Sequence, residues 1–316
     1  MNLVIADYTI KLYGDTPIYF DEGYTPFLKK NEHVPDIDVE CVSGIPANLF
    51  DGCETLFEAK SEVQRFYSVV KYGTGLGFKL YNQQTIDEIE DPRRKQRGIS
   101  DSGKSTSLCA NPAASSGEGA SRIQQLAVLD ETCKHWKIYS EPMEDGQLHP
   151  MKYPMGPIML YYLVVNNDAI MIHASGVFDG AKGRIFTGFS GTGKSTMAEQ
   201  WKSCGSNIVN DDRMIIRKGA DGFYMHNTPM YYFDLPKSAP VHAIHLIRHF
   251  PENICQRITG AKAVSKVMAF CIQNNFDKQF IQNYIGFISE LCDGVGIYET
   301  GFVPDHSIVR YLQTHE

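Results

Sequence analysis

No apolar run in this sequence approaches the length of a membrane-spanning helix: the longest, residues 157–165, is about half of what a span requires. Positive charge is also in short supply. With 30 Lys and Arg against 37 Asp and Glu the net charge is −7, which leaves no basic stripe to follow a nucleic-acid backbone. Paired cysteines are missing as a pattern. The 8 cysteines are scattered, with no C-x-x-C pair and no Cys/His grouping at zinc spacing, so reduced structural thiols are expected. The first residues, Met1-Asn2-Leu3-Val4-Ile5-Ala6-Asp7, carry no basic region ahead of a short apolar run and do not read as a secretory signal. These absences lead to the expectation of a soluble, cytoplasmic protein with no nucleic-acid and no membrane partner.

What is present is a chain of 316 residues, 43% of them hydrophobic, long enough for a large core and for two domains. Residues 1–150 carry strand and turn signals at 7–13, 36–42, 63–71 and 78–81, which suggest a β-rich, antiparallel N-terminal domain. Within it, residues 91–121 are rich in Ser, Gly, Ala, Pro and basic side chains, the composition of a flexible insertion. Residues 151–316 read differently. An apolar helix at 153–165 and a buried strand at 169–178 come first, then a strand at 184–187, a helix at 195–204 stopped by Gly205, and a strand at 207–209. The last three form a βαβ-like step, enough for an α/β core. Further strands are expected at 214–218, 223–226, 243–249 and 294–303, and helices at 261–274, 277–291 and 306–312.

One motif carries chemistry. Gly188-Phe189-Ser190-Gly191-Thr192-Gly193-Lys194-Ser195 is a complete G-x-x-x-x-G-K-[ST] phosphate-binding loop, set between a strand and a helix that continues with Thr196. Backbone N–H groups of such a turn converge on phosphate oxygens, Lys194 reaches the β- and γ-phosphates, and the Ser195 hydroxyl ligates Mg²⁺. ATP and Mg²⁺ are therefore expected. The pattern recurs at Gly98-Ile99-Ser100-Asp101-Ser102-Gly103-Lys104-Ser105. There it follows the polar run Asp91-Pro92-Arg93-Arg94-Lys95 and precedes Pro112, with neither strand nor helix to frame it, and it reads as chance.

Phosphoryl transfer needs hard oxygen ligands for the metal and a carboxylate to take the acceptor's proton. Asp211 and Asp212 answer both needs: they follow a short apolar run, so the parallel strand beside the loop would deliver them at its carboxyl end. His173 lies in Met171-Ile172-His173-Ala174, on the strand before the loop strand, where a lone histidine is more often a satisfied core residue than a catalyst. Arg213, Arg248 and Arg257 are candidates for the cation that meets developing charge. The cluster Tyr231-Tyr232-Phe233 reads as a corner of the core rather than the lining of an acceptor cleft.

Taken together, His173-Ala174-Ser175-Gly176-Val177, the run from Phe186 through the phosphate loop to Thr196, Gly205, and Asn210-Asp211-Asp212-Arg213 resemble the nucleotide-binding core of the HPr serine kinase family. That family is related in fold to ATP-dependent phosphoenolpyruvate carboxykinases. The resemblance is strongest over residues 157–217, and Asn227-Thr228-Pro229 resembles the Thr-Pro element that follows. It implies an α/β C-terminal P-loop domain with a mixed sheet, over residues 151–316, preceded by a smaller β-rich α+β domain. It implies that Gly188, Ser190, Gly191, Thr192, Gly193, Lys194, Ser195 and Thr196 cradle ATP and that His173 lies near the transferring phosphate. Asp211 would face the acceptor hydroxyl as base, Asp212 and Ser195 would hold Mg²⁺, and Arg257 would be the catalytic cation. The Glu-x-Arg-Gly-x-Gly signature of true HPr kinase/phosphorylases is missing, with Asn227-Thr228-Pro229-Met230-Tyr231-Tyr232 in that stretch, so HPr itself is not assumed as acceptor. The expected activity is an ATP- and Mg-dependent kinase acting on a serine-type hydroxyl of a protein, peptide or small molecule. The alternatives are a non-catalytic ATP-binding regulatory module and a PEP carboxykinase-like enzyme. Related kinases tend to assemble, which leaves a homo-oligomer open.

Overall fold

The computed structural model describes residues 1–30, 34–60, 65–82, 122–272 and 276–316. The second phosphate-loop match at 98–105 and the expected insertion at 91–121 lie outside the described residues. In chain order the first half contributes β1 (Asn2–Ile5), β2 (Tyr8–Tyr13), β3 (Leu28–Lys29), β4 (Ile37–Ser43), β5 (Thr55–Lys60), β6 (Arg65–Tyr72), β7 (Gly75–Tyr81), β8 (Ile123–Leu129) and β9 (His135–Ser140). Helix α1 (Met155–Val165) follows, then β10 (Ala169–Phe178), β11 (Gly183–Thr187), α2 (Lys194–Ser203), β12 (Asn207–Lys218), β13 (Phe223–Asn227) and β14 (Ser238–Pro240). The chain closes with β15 (Ala243–His249), β16 (Ile254–Ile258), α3 (Gly260–Met268), α4 (Lys278–Gly294), β17 (Gly296–Phe302) and α5 (Ser307–His315).

These strands form two large mixed sheets, so the fold is mixed α/β. Among the described residues the first sheet has the order β3-β1-β2-β4-β9-β8-β7-β6-β5 and the second β14-β13-β12-β10-β11-β15-β17-β16. The antiparallel expectation for the first sheet fails at its centre, where β2 pairs with β4 and β4 with β9 in parallel. The reason lies in the connections: β4 is joined to both partners by long segments rather than tight turns, and only such crossovers allow parallel neighbours. In the second sheet β11, β15 and β17 run parallel, while β10 is antiparallel to both of its neighbours, β11 and β12.

Between Ser140 and Ala169 the chain passes from one sheet to the other, and α1 occupies that interval. Its sequence, MGPIMLYYLVV, is apolar on every side, and a helix with no polar face must be buried on all of them. It is. The Tyr162 ring meets Phe78 and Trp136 of the first sheet at 5.3 and 5.8 Å, while Tyr161 meets Tyr284 of α4 at 5.9 Å. One apolar cluster runs from Leu3 and Trp136 through α1 to Ile170 of β10 and Leu291 of α4. Each fully buried Leu of α1, such as Leu160 or Leu163, contributes about 1.5–3 kcal/mol to it. A second cluster, with Val177, Phe186, Met197, Trp201, Phe302 and Leu312, lies on the other face of the second sheet under α2 and α5. No described helix is long and apolar enough to cross a membrane.

Candidate active site

Strand β11 ends at Thr187 and the glycine-rich loop begins one residue later. The turn is possible because Gly191 and Gly193 take left-handed backbone conformations, φ 82° and 92°; at Gly193 a Cβ would also meet the Phe302 ring at 2.8 Å, so glycine is required there twice over. Ser190 and Thr192 lie in the loop, and the Thr192 hydroxyl donates to the Phe189 carbonyl at 2.8 Å. Lys194 opens α2, with Ser195 and Thr196 in the same first turn. Its buried ammonium donates to the carbonyls of Gly188 and Phe189 at 3.0 and 3.2 Å, inside the curve of the loop. The first-turn N–H groups of a helix lack intrahelical partners, so loop and helix together present donors and positive charge.

The strand register carries the loop's end to the acidic pair. Thr187 pairs with Ala174, and Ala174 pairs with Asp212, so Asp212 lies two strand spacings, about 10 Å, from the end of the loop strand. In the adjoining row Phe186, Ser175 and Asp211 are aligned. Directly opposed residues share a face, which puts Ser175 and Asp211 on the face that α2 covers with Phe186. Two expectations need correction. The carboxylates are not on the strand beside the loop but one strand further away, because β10 is inserted between them. They also stand inside a strand: the segments expected at 207–209 and 214–218 are one strand, β12. The polar run between them stays in the ladder because Asn210 satisfies its surroundings, accepting from Asp211 N at 3.0 Å and donating to the Arg213 carbonyl.

The buried Ser175 hydroxyl donates to Oδ1 of Asp211. His173 Nε2 lies 3.5 Å from Asp212 Oδ1, with side chains 40% and 38% exposed. His173 is therefore not a core histidine. Beyond Thr187 β11 leaves the sheet, and the vacated edge of β10 is taken by the segment after α3: His173 N donates to the Phe270 carbonyl at 3.1 Å and Ile272 N to Met171 at 2.7 Å. Phe270 in turn meets the largely exposed Phe189 of the loop edge-on at 5.2 Å. Two phenyl rings thus wall the opening between loop and β10.

On the other side of the acidic pair, the Arg213 guanidinium sits 5.9 Å from the centre of the Tyr153 ring, and the Arg213 carbonyl accepts from Thr228 Oγ1 at 2.9 Å. The Asn227-Thr228-Pro229 element thereby braces the strand that carries the carboxylates. Tyr231, Tyr232 and Phe233 follow it and are 74%, 39% and 55% exposed, so they form no core corner; the segment has left the sheet after β13. Arg257 is not brought to the site. It lies on β16, the sheet's far edge, three strand spacings or about 14 Å from β11. Arg248 and His249 end β15 beside the loop, and His249 Nε2 lies 3.3 Å from the Gly191 carbonyl with its ring stacked on Phe302. The signal for His249 was its place at the carboxyl end of a parallel strand, which becomes informative only once β15 is known to neighbour β11.

A buried ionic cluster underlies the loop strand. Arg184 of β11 donates through Nε and Nη2 to Glu316 at 2.7–3.0 Å and through Nη1 to Asp179 at 2.6 Å, with its guanidinium 4.3 Å from the centre of the Trp201 ring of α2. His245 joins Glu316 to Thr300, at 2.8 and 2.9 Å. Burial alone would raise the Glu316 carboxyl; hydrogen bonds from His245 and Arg184, together with the arginine's charge, override it and hold it at about 2. Complete burial pushes His245 below its ordinary value and keeps it neutral, so Nε2–H donates to Glu316 and Nδ1 accepts from Thr300.

No family model matches the sequence, and no curated protein matches it. Among solved structures the chain is similar to an HPr(Ser) kinase/phosphatase from Coxiella burnetii. The likeness is weak: 12% identity and a TM-score of 0.28 over 45% of this chain and 95% of that one.

Proposed function

We propose that this chain is an ATP- and Mg²⁺-dependent phosphotransferase that moves the γ-phosphate to a serine-type hydroxyl. The observation that carries the reading is the register across β11, β10 and β12, with a phosphate loop at one end of the row and the acidic pair at the other. Loop N–H groups, Lys194 and Ser195 would hold the triphosphate. Among the described residues no three His, Cys, Asp or Glu side chains form a closed metal cage. Mg²⁺ carried by a triphosphate needs only one or two protein oxygens, and Ser195 and Asp212 fit that role. When bound, the ion would neutralise charge on the phosphates. Asp211 accepts the hydroxyl proton as the acceptor oxygen bonds to the γ-phosphorus and ADP departs; His173, against Asp212, stands near the transferred group.

The test is incubation with γ-labelled ATP and a peptide library with free serine included. Label transfer is expected, and Lys194→Ala should weaken ATP binding by about 10–100-fold through loss of charge-assisted hydrogen bonds. Tight ATP binding without transfer to any acceptor would leave a regulatory module, and oxaloacetate-dependent ATP consumption would indicate a carboxykinase. On the acceptor side, the exposed Tyr231 and Phe233 give a peptide acceptor apolar surface close to the braced strand. Replacing both with Ala should raise the KM of a peptide acceptor by about 100-fold or more, at about 1.5–3 kcal/mol per lost aromatic contact, while ATP affinity stays constant. An unchanged acceptor KM in steady-state kinetics would remove this run from the acceptor site.

A further inference from the structure

We propose that Ser175 is a positioning residue that fixes the carboxylate of Asp211 for proton abstraction, an inference that rests on the phosphotransferase reading. Ser175 and Asp211 are directly opposed across β10 and β12, and the Ser175 hydroxyl donates to Oδ1 of the aspartate. Only 1% of Ser175 is exposed, so the hydroxyl has no water to turn to and a buried hydroxyl must find an acceptor among its neighbours. The backbone under the carboxylate is held separately. Asn210 accepts from Asp211 N and donates to the Arg213 carbonyl, and Thr228 donates to the same carbonyl. Main-chain position is thus set by Asn210 and Thr228, and the remaining freedom, the rotation of the carboxylate, is what Ser175 restrains. Ser175 also stands beside the loop strand: it pairs with Phe186 on its other side, so one hydrogen bond ties the carboxylate to the strand that leads into the phosphate loop.

A base displaced by about 1 Å loses about 100-fold in rate. Ser175→Ala should therefore lower kcat by about 10–100-fold, with the KM for ATP, the KM for acceptor and the ATP dissociation constant within twofold of wild type. Ser175→Thr, which restores a hydroxyl, should recover most of the loss. The deciding measurement is a double-mutant cycle with Asp211→Asn: the asparagine amide still accepts from the hydroxyl but takes no proton, so its orientation no longer matters to the rate and Ser175→Ala should cost nothing further in that background. If Ser175→Ala also lowers the melting temperature, Ser175→Cys keeps the volume with a much weaker donor and carries the same cycle. Unchanged kcat in Ser175→Ala, or losses that multiply with those of Asp211→Asn, would overturn the proposal while leaving the phosphotransferase reading intact. Absence of wild-type transfer to any acceptor would overturn both.

Discussion

Asp211→Asn should retain ATP binding and lose phosphoryl transfer, with kcat falling by about 10²–10⁴-fold, the range a positioned general base contributes. The substitution is nearly isosteric and leaves an amide oxygen to accept from Ser175, so the geometry of the row survives while the proton acceptor does not. Loop, Lys194 and α2 are untouched, and equilibrium binding of ATP should match wild type. Asp212→Asn is the control. It removes a carboxylate from the His173 side of the pair, and its deficit should be partly recovered at high Mg²⁺ if Asp212 is a metal ligand. Two variants with the same response to Mg²⁺ would mean that the carboxylates share one role.

Arg184→Met should destabilise the protein by about 3–5 kcal/mol at neutral pH, the cost of breaking a buried ion pair and leaving one partner behind. Glu316 and Asp179 both lose the guanidinium, leaving Glu316 with His245 and Asp179 with the N–H groups of Ala181 and Lys182, and Trp201 of α2 loses the cation over its ring. The same cluster sets the acid response. Folded Glu316 titrates at about 2 against an ordinary value of 4.5, so its contribution is fully present above pH 4.5 and disappears as the pH falls towards 2. That difference corresponds to about 3 kcal/mol. His245, held neutral, adds a second loss: the unfolded chain binds a proton that the folded one resists, so stability declines as the pH falls below about 6.5. Urea denaturation between pH 8 and pH 3 would measure both, and Glu316→Gln should flatten the acid part of the profile. A profile that does not change in Glu316→Gln would rule out this carboxylate as its source.

How far the fold could be read from the sequence depended on how local each signal is. The strand at 169–178 and the strand at 243–249 coincide with β10 and β15, because a short, largely apolar run bounded by polar residues reports burial by itself. The helix ending at Gly205 was legible for the same reason, that glycine having φ 93°. What could not be read was pairing. Nothing in residues 169–218 says that β10 stands between β11 and β12, so the carboxylates were expected on the wrong strand relative to the loop. Arg184 is separated from Glu316 by 132 positions, and no local pattern distinguishes it from a surface arginine. The aromatic run at 231–233 misled in the opposite direction, because side-chain apolarity measures what burial would contribute and not whether a neighbour exists to supply it. In the candidate site, the loop, His173 and the acidic pair were legible as residue types, whereas Ser175, Asn210 and His249 acquire meaning only through their partners.

Helix α1, apolar on every side, also sets an order of events during synthesis. When Ser140 has been added the strands of the first sheet are all in the chain, yet the face around Phe78 and Trp136 has no cover until Met155–Val165 has followed. At 5–20 residues per second that wait is about one to five seconds. The helix then arrives with its opposite side bare, and that side is closed only after β10 and α4 have been made. From the addition of Ser140 until α4 is complete, the growing chain therefore carries part of this apolar surface without the neighbours that cover it in the folded protein.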